Sequence, residues 1–178
     1  MTGRGTTGTV VLALVALSVP LASCGSSSSP SGTGGGSTTQ ASAPGLGHSV
    51  RMHASDTTLT VTVRRVIFPL RGSGMLLSPG DAAAGVEVAI RNSGHAVYDS
   101  SSESDVSLRT TSGAQAEPGF AQRGQCQTTE IDFLKEVSPG ESRSGCVAFD
   151  VPKSAKPAAV RFSPEGRAAL GRTWVVSG

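Results

Sequence analysis

The densest group of potential ligands is the segment DSSSESD, which contains Asp99, Glu103 and Asp105. Three carboxylates within seven residues, interleaved with serine hydroxyls, offer the hard oxygen ligands that Ca²⁺ takes in proteins. The spacing has neither the glycine nor the terminal glutamate of an EF-hand loop. Two interpretations stay open: a calcium site, and a solvated loop that leads into a strand beginning at Val106.

Histidine and methionine form no recognisable metal motif. The histidines are His48, His53 and His95, and the sequence has no H-E-x-x-H or C-x-x-C spacing. Met52 beside His53 supplies a thioether and an imidazole, ligands that suit copper. Two adjacent ligands at the junction of linker and domain are more typical of no site, so copper is not expected; apart from the open calcium alternative, no metal or other cofactor is predicted.

The many serines include none in the G-x-S-x-G elbow that exposes a catalytic nucleophile. Without such a motif, any choice of a Ser, His and Asp triple would be arbitrary. The sequence therefore predicts that the protein is not an enzyme.

Cys24 follows a short apolar segment. The segment VVLALVALSV, residues 10–19, is too short for the roughly 20 residues that cross a bilayer, and it is typical of a secretory signal peptide. The quartet Leu21-Ala22-Ser23-Cys24 resembles the lipobox of bacterial lipoproteins. That resemblance implies that residues 1–23 are removed and that a diacylated Cys24 anchors the chain to the extracytoplasmic face of the cell membrane. The alternative is an ordinary signal peptide with an incidental cysteine.

The next segment has the composition of a linker. Residues 25–50 contain no Asp, Glu, Lys or Arg, and 18 of these 26 residues are Ser, Thr or Gly. Such a segment cannot bury enough apolar surface to offset its ordering entropy. We therefore expect a lipidated, disordered linker over residues 24–54 and one folded domain over residues 55–178.

Cys126 and Cys146 remain once Cys24 is acylated. An even pair of cysteines in an oxidising compartment predicts a disulfide. The 19 residues between them disfavour a redox pair or a shared metal site.

The charge balance bears on the partner. Residues 1–23 carry only Arg4, so the mature chain has 14 basic against 13 acidic residues. A domain starting near Ser55 also loses Arg51 and is neutral. A neutral domain lacks the electrostatic footprint of a nucleic-acid-binding protein, so nucleic acid is not an expected partner.

Period-two alternation of apolar and polar residues dominates the rest of the chain and predicts β-strands. The alternating segments are TLTVTV (58–63), GVEVAIRN (85–92), DVSLRTTSG (105–113), EIDFL (130–134), GCVAFDV (145–151), VRF (160–162) and TWVV (173–176). The phase slips at Arg64-Arg65, as a β-bulge requires. Turn sequences such as SPGD and SPGE separate these segments. About seven short strands of this kind indicate an antiparallel β-sandwich, with EGRAALGR (165–172) as a helical turn or two.

The order of the motifs VTVRRV, GVEVAIRNSG, SSESDVSLRTTSG, VSPGESRSGCVAFDVPK and VRFSP resembles a family of immunoglobulin-like extracytoplasmic domains. They occur in bacterial lipoproteins of unknown function and are related to a mycobacterial immunoprotective secreted antigen. The family pattern is an N-x-G strand end, here Asn92 to Gly94, and a later P-G strand, here Pro139 to Pro152. The resemblance covers about residues 55–165. It implies an immunoglobulin-like fold and brings no catalytic residues.

Four arginines, Arg64, Arg91, Arg109 and Arg143, occupy positions expected to point outward. They could meet a partner, or they could belong to solvated strand faces. One Trp and one Tyr leave little from which to build the aromatic platforms of a glycan site. The sequence thus predicts a membrane-anchored, non-catalytic module that binds a protein of the envelope; the alternatives are a module for cell-wall glycan or a small molecule, and a passive spacer.

Overall fold

The computed structural model describes residues 42–124, 126–127 and 132–176. The predicted signal peptide, Cys24 and Ile131 lie outside the described residues. In the part of the chain that is described, no helix combines the length and the apolar character needed to cross a membrane.

The described residues form eight strands and one single-turn helix. The strands are β1 Ser49–His53, β2 Thr58–Ile67, β3 Asp81–Asn92, β4 Val106–Thr110, β5 Glu117–Gly119, β6 Ser142–Pro152, β7 Pro157–Phe162 and β8 Arg172–Val175. The helix α1, Ser102–Asp105, immediately precedes β4. Two 3₁₀ turns, Pro164–Gly166 and Ala168–Leu170, precede β8. They agree with the helical turn or two that the sequence predicts for residues 165–172.

The strands form two antiparallel sheets. The large sheet has the order β1-β2-β3-β6-β5 and the small sheet has the order β4-β7-β8. The predicted alternation places one apolar face of each sheet in a shared core. Its largest fully buried side chains are Trp174, Tyr98, Phe149, Phe162, Leu59, Ile90, Leu108 and Leu134. The predicted β-sandwich is confirmed, with eight strands rather than about seven.

The predicted bulge in β2 is also confirmed. Val63 pairs with Val88 and Arg65 pairs with Glu87, so Arg64 is the extra residue between them. A bulge places two consecutive side chains on the same side of a strand. Arg64 and Arg65 are accordingly both exposed.

The two SPG turns have the predicted type II form. The Asp81 amide donates to the Ser78 carbonyl (3.0 Å) and the Glu141 amide donates to the Ser138 carbonyl (3.0 Å). Gly80 and Gly140 occupy the position that needs a positive φ, with values of 93° and 80°.

The two halves of the family pattern meet at one end of the β3–β6 pair. Asn92 donates its amide to the Glu141 carbonyl (2.9 Å) and accepts the Gly140 amide at its own carbonyl (2.8 Å). The side-chain amide of Asn92, which is buried, donates to Ala96 and Val137 carbonyls. The N-x-G and P-G motifs are therefore two sides of a single hydrogen-bonded corner.

The structure corrects the predicted start of the folded part. Residues 49–53, which the sequence placed in the linker, form β1 and pair with residues 58–62 of β2. Further upstream, the Pro44 carbonyl accepts the Val175 amide (2.9 Å). The boundary at residue 55 is therefore too late, because Met52, only 3% exposed, contributes to the core.

The predicted strand EIDFL is wrong in its described part. Residues 132–134 belong to a turn, and the fully buried side chain is Leu134. Phe133 lies instead over Gly145, where an added Cβ would overlap its ring. The short strand β5, which carries a proline and a glycine, was not predicted.

Candidate binding face on the large sheet

The outer face of the large sheet is divided into two parts of opposite character. We call the part under the segments 67–75 and 121–124, together with Cys126, the covered half. The rest, which we call the open half, consists of the outward positions Ser49, Arg51, His53, Thr58, Thr60, Thr62, Arg64, Ala89, Arg91, Ser142 and Ser144. The pair Arg65 and Glu87 lies on the border between them.

The covered half forms a second small core outside the sheet. Its buried members are Leu70, Ala83, Ala121, Cys126 and Ala148. Ala83 and Ala148 belong to β3 and β6 and alternate with the residues that face the main core. Small side chains at these outward positions let the two loop segments pack directly on the sheet.

The structure joins Cys126 and Cys146 in a disulfide across this second core, with their Cα atoms 5.0 Å apart. The bond lies directly over Gly85 of β3. A Cβ at position 85 would lie 3.0 Å from the Cys126 sulfur and 3.3 Å from the Cys146 sulfur. A side chain at position 85 would therefore fit only if the disulfide moved by a few tenths of an ångström.

The open half is built from cross-strand rows of polar residues. In one row, Thr60 pairs with Arg51 on one side and with Arg91 on the other, and Arg91 pairs in turn with Ser142. The next row is Ser49, Thr62, Ala89 and Ser144. A groove of about 270 Å³ crosses these strands; its lining residues are Thr60, Thr62, Arg64, Ala89, Ile90, Arg91, Ser142, Arg143 and Ser144.

The charge of the open half is unbalanced. Arg65 forms an ion pair with Glu87 (2.5 Å) at the border, and this arginine lowers the pKa of the Glu87 carboxyl. Among the described residues, Arg51, Arg64 and Arg91 have no carboxylate within ion-pair distance. Three guanidinium groups on one face therefore have no ion-pair partner among the described residues.

The sequence placed Arg109 and Arg143 with Arg64 and Arg91; the structure separates Arg109 from them, whereas Arg143 lines the same groove but is engaged by Glu141. Arg109 lies on β4 of the small sheet. Arg143 binds Glu141 (2.6 Å) and donates to the backbone carbonyls of residues 135 and 136, so it holds the preceding turn. Arg51 was missed because it was assigned to the linker.

The predicted calcium ligands do not converge. The Asp99 carboxylate pairs with Lys135 (3.5 Å) and accepts the Glu136 amide (3.2 Å). Glu103 is exposed on α1, whereas Asp105 is buried. The structure thus gives no support to a calcium site formed by Asp99, Glu103 and Asp105.

The alternative interpretation, a solvated loop, is also wrong for Asp105, because this side chain is buried. It is 1% exposed and accepts hydrogen bonds from Tyr98, Ser100 (2.8 Å), Ser104 (3.1 Å) and the Gly166 amide (2.9 Å). Burial raises the pKa of Asp105 despite these donors. The carboxylate ties the segment before β4 to the turn before β8, which is a structural role.

Met52 and His53 cannot share a metal ion. Met52 points into the core and His53 is exposed, because successive side chains of a strand point to opposite faces. Within the residues that the structure describes, no group of three or more His, Cys, Asp or Glu side chains could hold a metal.

Comparison with known proteins reveals a family and a fold. The family model DUF4352, a domain of unknown function, matches residues 48–169. No curated protein matches the sequence.

Solved structures share the sandwich at low sequence identity. The secreted protein MPT63 of Mycobacterium tuberculosis has a TM-score of 0.53 at 14% identity, covering 75% of this chain and 95% of that one. The yjhA protein of Bacillus subtilis has a TM-score of 0.55 at 13% identity, with coverages of 75% and 99%. The ycdA protein of Bacillus subtilis, a proposed lipoprotein, has a TM-score of 0.51 at 16% identity, with coverages of 71% and 38%. At these identities the similarity is one of fold.

Proposed function

Because this chain belongs to the DUF4352 family, a domain of unknown function, we propose its role from its own surface. The protein is an extracytoplasmic lipoprotein, anchored through Cys24, whose sandwich binds an envelope protein at the open half. It acts by binding and catalyses no reaction.

The observation that carries this proposal is the set of three arginines that form no ion pair with any described residue. Like charges that share one face repel each other, and the repulsion is stronger the closer they lie. Arg51 and Arg91 nevertheless flank the same threonine, and Arg64 projects from the bulge beside them. Arginine is enriched in protein interfaces relative to the rest of the surface. A bound protein would supply the missing negative charges.

The placement outside the cytoplasm rests on the lipobox around Cys24. It is supported by the fold, which a secreted protein and a proposed lipoprotein share. Two acyl chains on one cysteine would give stable anchoring.

A fractionation experiment tests the anchor. Cys24→Ala should move the protein from the membrane fraction to the soluble fraction, or leave it unprocessed. Ser23→Ala, which keeps the cysteine, is the matched control and should remain in the membrane. Unchanged acylation and retention of Cys24→Ala would contradict the anchor.

Photo-crosslinking in intact cells tests the binding face. A photoreactive residue at Thr60 in the open half should capture one reproducible envelope protein, identified by mass spectrometry and shown to bind the purified chain. The control position is Ser107, which faces outward on β4 of the small sheet. Equal capture at both positions, or no capture at Thr60, would contradict a binding role for the open half.

A small ligand in the groove is the second candidate. The groove, about 270 Å³ in volume, is near the lower limit for ligand sites and is lined mainly by hydroxyl and guanidinium groups. No aromatic side chain is among its lining residues, which disfavours a glycan. A rise in melting temperature with wall-derived fragments or small anions would favour this candidate over a protein partner.

A further inference from the structure

We propose that the open half recognises carboxylates, so that its partner is a protein presenting an extended acidic segment. Arg51, Arg64 and Arg91 determine this specificity. The inference rests on the proposed function because it names the chemistry of the partner at the same face.

The first argument is the local charge. On the outward positions of β1, β2 and β3 in the open half and at its border, four arginines face a single carboxylate, that of Glu87. The β-bulge sets Arg65 opposite this carboxylate and leaves Arg64 on the groove side. The bulge therefore adds one arginine, Arg64, to this face, and the four arginines exceed the single carboxylate by three positive charges.

The second argument is geometry. Neighbouring strands lie about 4.8 Å apart, so the backbones that carry Arg51 and Arg91 are roughly 10 Å from each other across β2. Arg64 is four residues beyond Thr60 along β2, roughly 13 Å further at the usual strand rise. These spacings correspond to carboxylates three to four residues apart in an extended chain.

The third argument is the chemistry of the groove. Thr60, Thr62, Ser142 and Ser144 have short side chains that leave the longer guanidinium groups free to turn toward a ligand. Guanidinium binds a carboxylate through two parallel hydrogen bonds, a geometry that lysine cannot reproduce. The hydroxyl groups can meet the backbone of the bound segment.

The charge of the whole chain distinguishes an acidic protein from a phosphate polymer. The chain has 15 basic and 13 acidic residues, so the positive charge of the open half is local. Phosphate polymers are held by an extended basic stripe or a strongly basic domain. A patch with three free arginines instead matches a short cluster of carboxylates.

The experiment uses a fluorescent peptide in which glycines separate four glutamates by three or four residues, and a matched peptide with glutamine in their place. Anisotropy with the purified protein should show binding of the glutamate peptide alone, and added salt should weaken this binding. Arg91→Glu should weaken it by about tenfold or more, because it removes a charge-assisted pair and adds repulsion. Arg64→Ala is a second variant and should weaken binding by a smaller factor.

The matched control is Arg109→Glu, the same reversal at an exposed arginine of the small sheet. It should leave the affinity for the glutamate peptide unchanged. Melting temperatures of all variants should equal that of the parent, since these arginines form no ion pair with a described residue.

Three results would overturn the inference: equal affinity for the two peptides, equal losses from Arg91→Glu and Arg109→Glu, or binding of an oligophosphate without binding of the glutamate peptide.

The inference and the proposed function can fail separately. A protein captured at Thr60 that binds Arg91→Glu as well as the parent would preserve the function and refute carboxylate recognition. Selective binding of the glutamate peptide without any captured protein would support carboxylate recognition and contradict the function.

Discussion

The covered and open halves of the large sheet are made by the same strands and differ in what completes them. On β3, the outward residues change from Ala83 and Gly85 to Ala89 and Arg91 across the border at Glu87. Small apolar residues allow the chain's own loops to close the covered half. The polar residues of the open half are left to solvent or to a partner. Side-chain size and polarity along one strand thus separate a surface that stabilises the fold from one available for binding.

The sharpest test of this division is removal of the disulfide. Cys126→Ala with Cys146→Ala should lower the free energy of unfolding by about 3 kcal/mol, because the bond closes a loop of about 20 residues in the unfolded chain. Urea denaturation measures this loss. Binding of the glutamate peptide should persist in the variant under native conditions.

Unchanged stability would mean that the covered half does not depend on its disulfide. Loss of peptide binding in a folded variant would show that the two halves are coupled. It would contradict the division between a stabilising covered half and a binding open half.

A pair of substitutions on β3 compares the halves directly. Gly85→Val should cost about 2 kcal/mol, since its side chain would collide with the disulfide and overpack the covered half. Ala89→Val, on the same strand and the same face but in the open half, should change stability by no more than about 0.5 kcal/mol. Thermal denaturation measures both. Similar losses at the two positions would contradict the division.

The smallest expected effect concerns the border. Glu87→Gln removes the partner of Arg65 and should cost less than about 1 kcal/mol, because the pair is largely exposed. The freed arginine should also tighten binding of the glutamate peptide by about twofold to threefold at low salt. Glu103→Gln, at an exposed glutamate of α1, is the control and should change neither quantity.

The same pair has a defined pH dependence. Arg65 lowers the folded-state pKa of Glu87, so the contribution of the pair is complete above the ordinary glutamate pKa and is lost as the pH falls through the lowered value. The difference in stability between the parent and Glu87→Gln should therefore shrink in acid. A constant difference at all pH values would contradict the assignment.

Much of the large sheet could be predicted because its central strands alternate over long stretches. β2, β3 and β6 each hold at least three inward apolar residues, and the phase slip at Arg64 identified the bulge. β1 was missed since its five residues follow a long uncharged segment, and β5 because EPG has no alternation to detect.

The candidate site was predictable only in part. Arg64 and Arg91 were correctly expected to point outward, but strand alternation does not reveal which sheet a strand joins. Arg109 was therefore grouped with them although it lies on the small sheet. The burial of Asp105 depends on Tyr98 and on Gly166, which is 61 residues away in the sequence, and no local pattern contains that information.

The contacts between the two ends of the described chain have a consequence for the timing of folding. The indole of Trp174, which is fully buried, donates to the carbonyl of His48 (2.9 Å), across a separation of 126 residues. At a synthesis rate of about 5–20 residues per second, His48 is synthesised roughly 6–25 s before Trp174. Contacts of such long range also form slowly. During this interval the chain lacks the Trp174 side chain that fills its main core. The core is therefore complete only after β8 has been synthesised and packs beside residue 48.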